Sequence, residues 1–143
     1  MLNKSVLLVE DDALDAEMTK DAVESVGGCS VTVVVNGQAA LARLRETDYE
    51  RAGAAPPPSL FLLDLALPLV DGLEVLREIR RQAQSRRIPI VVFTSSQREA
   101  EVYLSYQLGA NAFVIKPLDG SQFRRVVEHT VRFWLHSNVL PPH

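Results

Sequence analysis

The chain has 143 residues, a length that suits one ordinary domain and is short for two. Apolar residues make up 47% and charged residues 23%, the balance of a globular protein rather than a disordered one. With 15 Lys and Arg against 18 Asp and Glu, the net charge of −3 argues against a broad electrostatic grip on nucleic acid, and no nucleic-acid partner is expected. A single cysteine, Cys29, allows no internal disulfide and fits a reducing compartment. No apolar run is long enough to span a membrane and no signal-peptide pattern opens the chain, so a cytoplasmic protein without a membrane partner is expected.

In chain order, an apolar run at 6–9 predicts the first strand, and Leu14, Met18, Ala22 and Val26 form a helical stripe behind it. A second run at 31–35 precedes Asn36, a candidate cap for the second helix. Residues 47–59, with Pro56-Pro57-Pro58, read as a surface loop before a third run at 60–63. Asp71-Gly72-Leu73-Glu74 resembles a capping box and introduces the stripe Leu73, Leu76, Ile79 and Ala83. A fourth run at 90–93 is followed by Ser96-Gln97-Arg98-Glu99, and a fifth at 112–115 by Asp119-Gly120-Ser121-Gln122, both read as helix starts. The tail at 137–143 is expected to be loosely ordered. One domain over 1–143 follows, its core at about 4–136. None of the five runs alternates strictly, as expected of strands buried on both faces of a parallel sheet covered by helices.

The first strand ends in Glu10-Asp11-Asp12 and the third in Asp64. In a parallel sheet of order 2-1-3-4-5 these ends flank the switch point where ligands bind, so Asp11, Asp12 and Asp64 converge. Two carboxylates about 4 Å apart repel by roughly 4 kcal/mol at an effective dielectric of 20. Such a cluster calls for a counter-ion, and oxygen-only ligands favour a hard cation such as Mg²⁺. Thr94 and Lys116 follow the fourth and fifth strands and complete a cradle for a tetrahedral oxyanion. Asp64, at the tip of the middle strand, is the candidate nucleophile. Asp71, Ser96 and Asp119 read as helix caps, Arg77, Arg80, Arg81, Arg86 and Arg87 as a solvated face, and Cys29 as a small, partly buried hydrophobe. His129, His136 and His143 lack a ligand set.

The segments LLVEDD at 7–12, LLDLALPLVDG at 62–72, VVFTSS at 91–96 and GANAFVIKP at 109–117 together resemble the receiver domain of bacterial response regulators. The resemblance runs from Lys4 to about Leu135 and implies a flavodoxin-like (βα)5 doubly wound sheet. It implies Asp64 as phosphoacceptor, Asp12 as direct ligand of Mg²⁺ (or Mn²⁺), Asp11 as a ligand through water, and the backbone carbonyl of Ala66 as a third ligand. Thr94 matches the hydroxyl that turns toward the phosphoryl group, Lys116 its ion-pair partner and Phe113 the aromatic switch position. The Lys116-Pro117 bond matches one commonly cis. Glu10 reads as a strand-end charge facing solvent or a kinase rather than as a metal ligand. A narrower likeness, in DDALDAEMTKDAVESVG, SYQLGANAFVIKP and RFWL, is to single-domain response regulators that accompany phytochromes. Ala66 departs from the Asn expected in that subgroup, which leaves no side chain there to bond a water or phosphoryl oxygen.

A sensor histidine kinase, with a phytochrome kinase as the candidate, is the implied partner. The last helix carries a wide apolar stripe, with Val127, Val131, Trp134 and Leu135, and Tyr103 lies on the helix before it. The residues alone fit a well-packed terminal helix; the likeness to the phytochrome-linked regulators implies instead a homodimer face from helix 4, strand 5 and helix 5. Two other functions remain open: a phosphohydrolase working through an aspartyl phosphate, and a receiver-like interaction module that is never phosphorylated. Against the first, Ala66 stands where such enzymes often place a second Asp.

Overall fold

The computed structural model describes residues 4–46 and 56–140. Strands β1 (Lys4–Val9), β2 (Cys29–Val34), β3 (Leu60–Leu63), β4 (Ile90–Thr94) and β5 (Ala112–Ile115) alternate with helices α1 (Ala13–Val26), α2 (Gly37–Glu46), α3 (Gly72–Arg81), α4 (Glu99–Gln107) and α5 (Gly120–Arg132). A wide π-type turn, Phe133–Ser137, continues α5. All strand pairs are parallel and the order is β2-β1-β3-β4-β5, the doubly wound arrangement that the β-α alternation dictates. Residues 47–55 of the expected loop and 141–143 of the expected tail lie outside the described residues.

Because side chains alternate across a strand, each sheet face builds its own core. Val6, Leu8, Leu60, Leu62, Val91 and Phe93 pack against Ala22 and Val23 of α1 and Phe123, Val127 and Val131 of α5. Leu7, Val9, Phe61, Leu63, Ile90 and Val92 pack against Leu44 of α2 and Val75, Leu76 and Ile79 of α3. β3 and β4 are buried at every position, whereas the edge strands β2 and β5 are only partly covered, contrary to the expectation that all five runs are buried on both faces.

The apolar stripe of the last helix turns inward. Val127, Val131 and Leu135 are 2%, 0% and 1% exposed, which corrects their expected place in a dimer face. Burying them against the sheet and α1 leaves none of their surface for a partner. Trp134 is partly buried in the same core, while Tyr103 on α4 is 63% exposed.

Three of the four expected caps form. Asn36 Oδ1 accepts from Ala39 N at 2.7 Å, Asp71 Oδ1 from Glu74 N at 3.0 Å, and Asp119 Oδ1 from Ser121 N and Gln122 N. Ser96 is not a cap: α4 starts later, after Arg98, and the Ser96 hydroxyl instead donates to Glu101 Oε1 at 3.0 Å. On α1 the buried face is Thr19, Ala22 and Val23, and Leu14 points outward.

Arg80 departs from the solvated row expected of the arginines. Its guanidinium donates to the carbonyls of Gly109 (2.8 Å), Arg86 (3.0 Å) and Ile88 (2.7 Å) and to Asn111 Oδ1 (2.7 Å). One planar fork thus ties the α3–β4 loop to the α4–β5 turn at the end of the sheet opposite the acidic cluster.

Candidate functional site

The parallel ladder runs one residue past three strands and so places three charged residues by their backbones. Glu10 N donates to Val34 O (3.0 Å), Asp64 N to Val9 O (3.1 Å) and Lys116 N to Thr94 O (2.8 Å). Their side chains continue the strand alternation onto the α1/α5 face, where they meet. Lys116 Nζ donates to Glu10 Oε1 (2.5 Å), Asp64 Oδ2 (2.9 Å) and Asp15 Oδ2 (2.9 Å) and lies 5.9 Å from the centre of the Phe93 ring. All three ammonium protons thus have carboxylate acceptors.

The other Asp64 oxygen, Oδ1, accepts from Ala66 N at 3.2 Å, and the Thr94 hydroxyl also bonds the Asp64 carboxylate. Gly72, the first residue of α3, lies against this backbone: a Cβ there would stand 2.4 Å from Asp64 O. Asp64 belongs both to the acidic cluster and to the wall of an open cavity of about 490 Å³, lined also by Ala66, Thr94, Ser96, Arg98 and Glu101 among others.

The electrostatics follow from burial against pairing. Burial pushes Asp64 up, but the Lys116 ion pair and the bonds from Thr94 and Ala66 N outweigh it and hold the carboxyl below its ordinary value. For Glu10 burial wins: the Lys116 bond pulls down, the Asp64 charge pushes up, and the result is raised from 4.5 to about 7. Burial pulls Lys116 down, yet its three carboxylate partners more than compensate and keep it charged.

The acidic cluster is not the expected one. Carboxylate oxygens of Glu10, Asp11 and Asp64 lie within 4.8 Å of one another, and Asp12 stands outside the group. Asp12 is the N-cap of α1, its Oδ1 accepting from Asp15 N at 2.9 Å. The physical reason is register: β1 ends at Val9 and its ladder at Glu10, so the first carboxylate of the site is Glu10, and by Asp12 the chain has entered the helix. Glu10 does not face solvent, being 1% exposed. An octahedral cation holding oxygens at about 2.1 Å spaces neighbouring ligands about 3 Å apart, so this donor set fits a hard divalent ion after slight closure.

Phe113 is partly buried against the α2/α3 core, and Ala66 is exposed at the rim of the cavity. The Lys116-Pro117 bond is trans, as are all peptide bonds among the described residues, which corrects the expected cis form. Proline narrows the gap between the two isomers without reversing it. Asp15 carried no expectation from the sequence. It stands in the first turn of α1, three residues after the N-cap Asp12, and no spacing in the sequence singles it out.

Residues 6–128 match the response regulator receiver domain family, and the chain belongs to that family. Response regulator Rcp1 of Synechocystis sp. is 36% identical over 140 residues, 96% of this chain and 93% of Rcp1. The phosphorylated cyanobacterial phytochrome response regulator RcpA superposes with a TM-score of 0.89 at 38% identity, over 98% of this chain and 99% of that one. The Mn(2+)-bound form of Rcp1 superposes with a TM-score of 0.86 at 34% identity, over 97% of this chain and 99% of that one. No helix among the described residues is long and apolar enough to cross a membrane.

Proposed function

We propose that the protein is a stand-alone, cytoplasmic response regulator that accepts a phosphoryl group on Asp64 from a sensor histidine kinase. The observation that carries this reading is the convergence of Lys116 Nζ, the Thr94 hydroxyl and an acidic pair on one buried, ionised carboxylate beside an open cavity. An Asp64 oxygen forms the new bond to phosphorus as the bond from phosphorus to the kinase histidine nitrogen breaks. Glu10, Asp11 and Asp64 are the proposed holders of Mg²⁺ (or Mn²⁺), with the Ala66 carbonyl as a further ligand. When bound there, such an ion would supply charge neutralisation at the phosphoryl oxygens. Lys116 supplies the second cation, already within 2.9 Å of Asp64. Thr94, bonded to Asp64 before transfer, needs only a short shift to reach a phosphoryl oxygen, and Phe113 on β5 follows it as the switch residue. The near end-to-end match with Rcp1 supports the stand-alone assignment, and RcpA, a phytochrome response regulator, supports a phytochrome kinase as donor.

Intact mass after incubation with acetyl phosphate and Mg²⁺ tests this on wild type and Asp64→Asn in parallel. One phosphoryl adduct is expected on wild type and none on the variant; an adduct on both rejects Asp64 as acceptor. If neither carries one, kinase-driven transfer decides between a kinase-dependent receiver and a phosphorylation-independent module. Steady phosphate release from small phosphoesters would instead favour the hydrolase.

The proposed output face lies around edge strand β5, where Tyr103, Leu104, Tyr106, Ile115, Leu118 and Phe133 are exposed. One side of β5 has no strand neighbour, and an apolar patch about such an edge suits a second copy across a two-fold axis. Sedimentation equilibrium is expected to show a dimer that Tyr103→Glu weakens. A monomer at high concentration, with and without beryllofluoride, would rule this out.

A further inference from the structure

Lys116 shares its acceptors with the acidic cluster. Of the three carboxylates that hold its ammonium, Glu10 and Asp64 also belong to the group that fits a divalent cation, and Asp15 does not. A cation drawing on Glu10 and Asp64 competes directly with Lys116 for the same oxygens. It also sets a second positive charge beside a side chain that is 5% exposed and whose one further anion among the described residues is Asp15. Asp15 reaches Lys116 from the first turn of α1, on the outer side of the cluster, with 26% of its side chain exposed.

We propose that Asp15 is a positioning residue for the metal site: it is the dedicated acceptor that keeps the Lys116 ammonium bonded and compensated while the cation takes over Glu10 and Asp64. This rests on the reading of Glu10, Asp11 and Asp64 as the metal holders. Its physical basis is that an ammonium with its hydrogen bonds made stays where it is, whereas one left with an unpaired proton moves to compete for the cation's ligands. An Asn at position 15 keeps a neutral amide oxygen as acceptor and loses the negative charge that pairs with the ammonium.

The test is a calorimetric Mg²⁺ titration of the full chain as wild type, Asp15→Asn and Asp11→Asn, with folding checked by circular dichroism. Asp15→Asn is expected to bind Mg²⁺ about tenfold more weakly than wild type, as befits one unit charge lost near the site at intermediate dielectric. A second readout follows the Lys116 ammonium itself by NMR at saturating Mg²⁺. Its protons are expected to remain protected in wild type and to exchange at least severalfold faster in Asp15→Asn, and Asp15→Glu is expected to restore protection. A purely structural role for Asp15 would leave that protection unchanged once the cation is bound. If wild type binds Mg²⁺, Asp11→Asn loses it and Asp15→Asn matches wild type in both readouts, the role of Asp15 is overturned and the metal site stands. If wild type binds no Mg²⁺, or Asp11→Asn binds it as well as wild type, the metal-site reading fails and this inference with it.

Discussion

Exchange of Lys116 for methionine is expected to lower stability by about 3–5 kcal/mol at pH 8, the usual consequence of removing one partner from a buried ion pair. Methionine fills most of the stem's volume, so the loss is electrostatic: Glu10 and Asp64, 1% and 7% exposed in their side chains, are left without their counter-charge. The penalty depends on pH in a definite sense. Lys116 is held above its ordinary range in the fold, so its contribution is complete throughout neutral pH. The variant's carboxyls relieve their repulsion by taking up protons, and Glu10 in wild type is already raised to about 7. The gap between wild type and variant therefore narrows toward pH 5, to about 1–2 kcal/mol. Thermal melts read this as a drop of about 10 °C at pH 8 and a few degrees at pH 5. A drop of equal size at both values would show that packing of the stem, and not charge, is what Lys116 supplies. Phosphorylation by acetyl phosphate is expected to fall at least about 100-fold, the scale of losing one preorganised charge at a developing oxyanion.

Glu10→Gln is expected to act in the opposite direction. A carboxyl whose pKa rises on folding favours the folded state while it is protonated. Its contribution is complete below its ordinary value of 4.5 and is lost as pH rises through about 7. Glu10 and Asp64 share Lys116, so the observed step belongs to the pair. Glutamine keeps an oxygen for Lys116 Nζ and carries no charge to bury. Metal-free Glu10→Gln is therefore expected to match wild type near pH 4.5 and to exceed it by about 1–3 kcal/mol at pH 8, since each tenfold change in proton affinity between the folded and unfolded chain corresponds to about 1.4 kcal/mol. Urea unfolding in chelator across that range measures it. A variant less stable than wild type at pH 8 would mean that the bond from Asp12 N to Glu10 Oε2, at 3.1 Å, outweighs the buried charge. Saturating Mg²⁺ is expected to reverse the order, because wild type keeps a ligand that the variant has lost.

Strand positions and the caps at Asn36, Asp71 and Asp119 are legible in the chain because each depends on neighbours within a few residues, and the parallel sheet follows from the strict alternation of strands and helices. Asp64 and Lys116 are legible for a related reason: each directly follows an unbroken apolar run, so its place at the carboxyl edge needs no knowledge of distant contacts. The three acids after β1 are different. Glu10, Asp11 and Asp12 are chemically alike and adjacent, and which of them meets Asp64 depends on where pairing with β2 and β3 stops. A one-residue change of register exchanges a carboxylate of the buried cluster for a helix cap. The same holds for α5, whose stripe is equally apolar whether it faces a sheet or a partner; contact with α1 and the sheet settles that Val127, Val131 and Leu135 face inward. Arg80 and Asp15 were beyond reach of any local pattern, since their partners lie up to 31 and 101 residues away. Long-range hydrogen bonds of this kind leave no periodicity, and only the folded chain brings the two ends of each together.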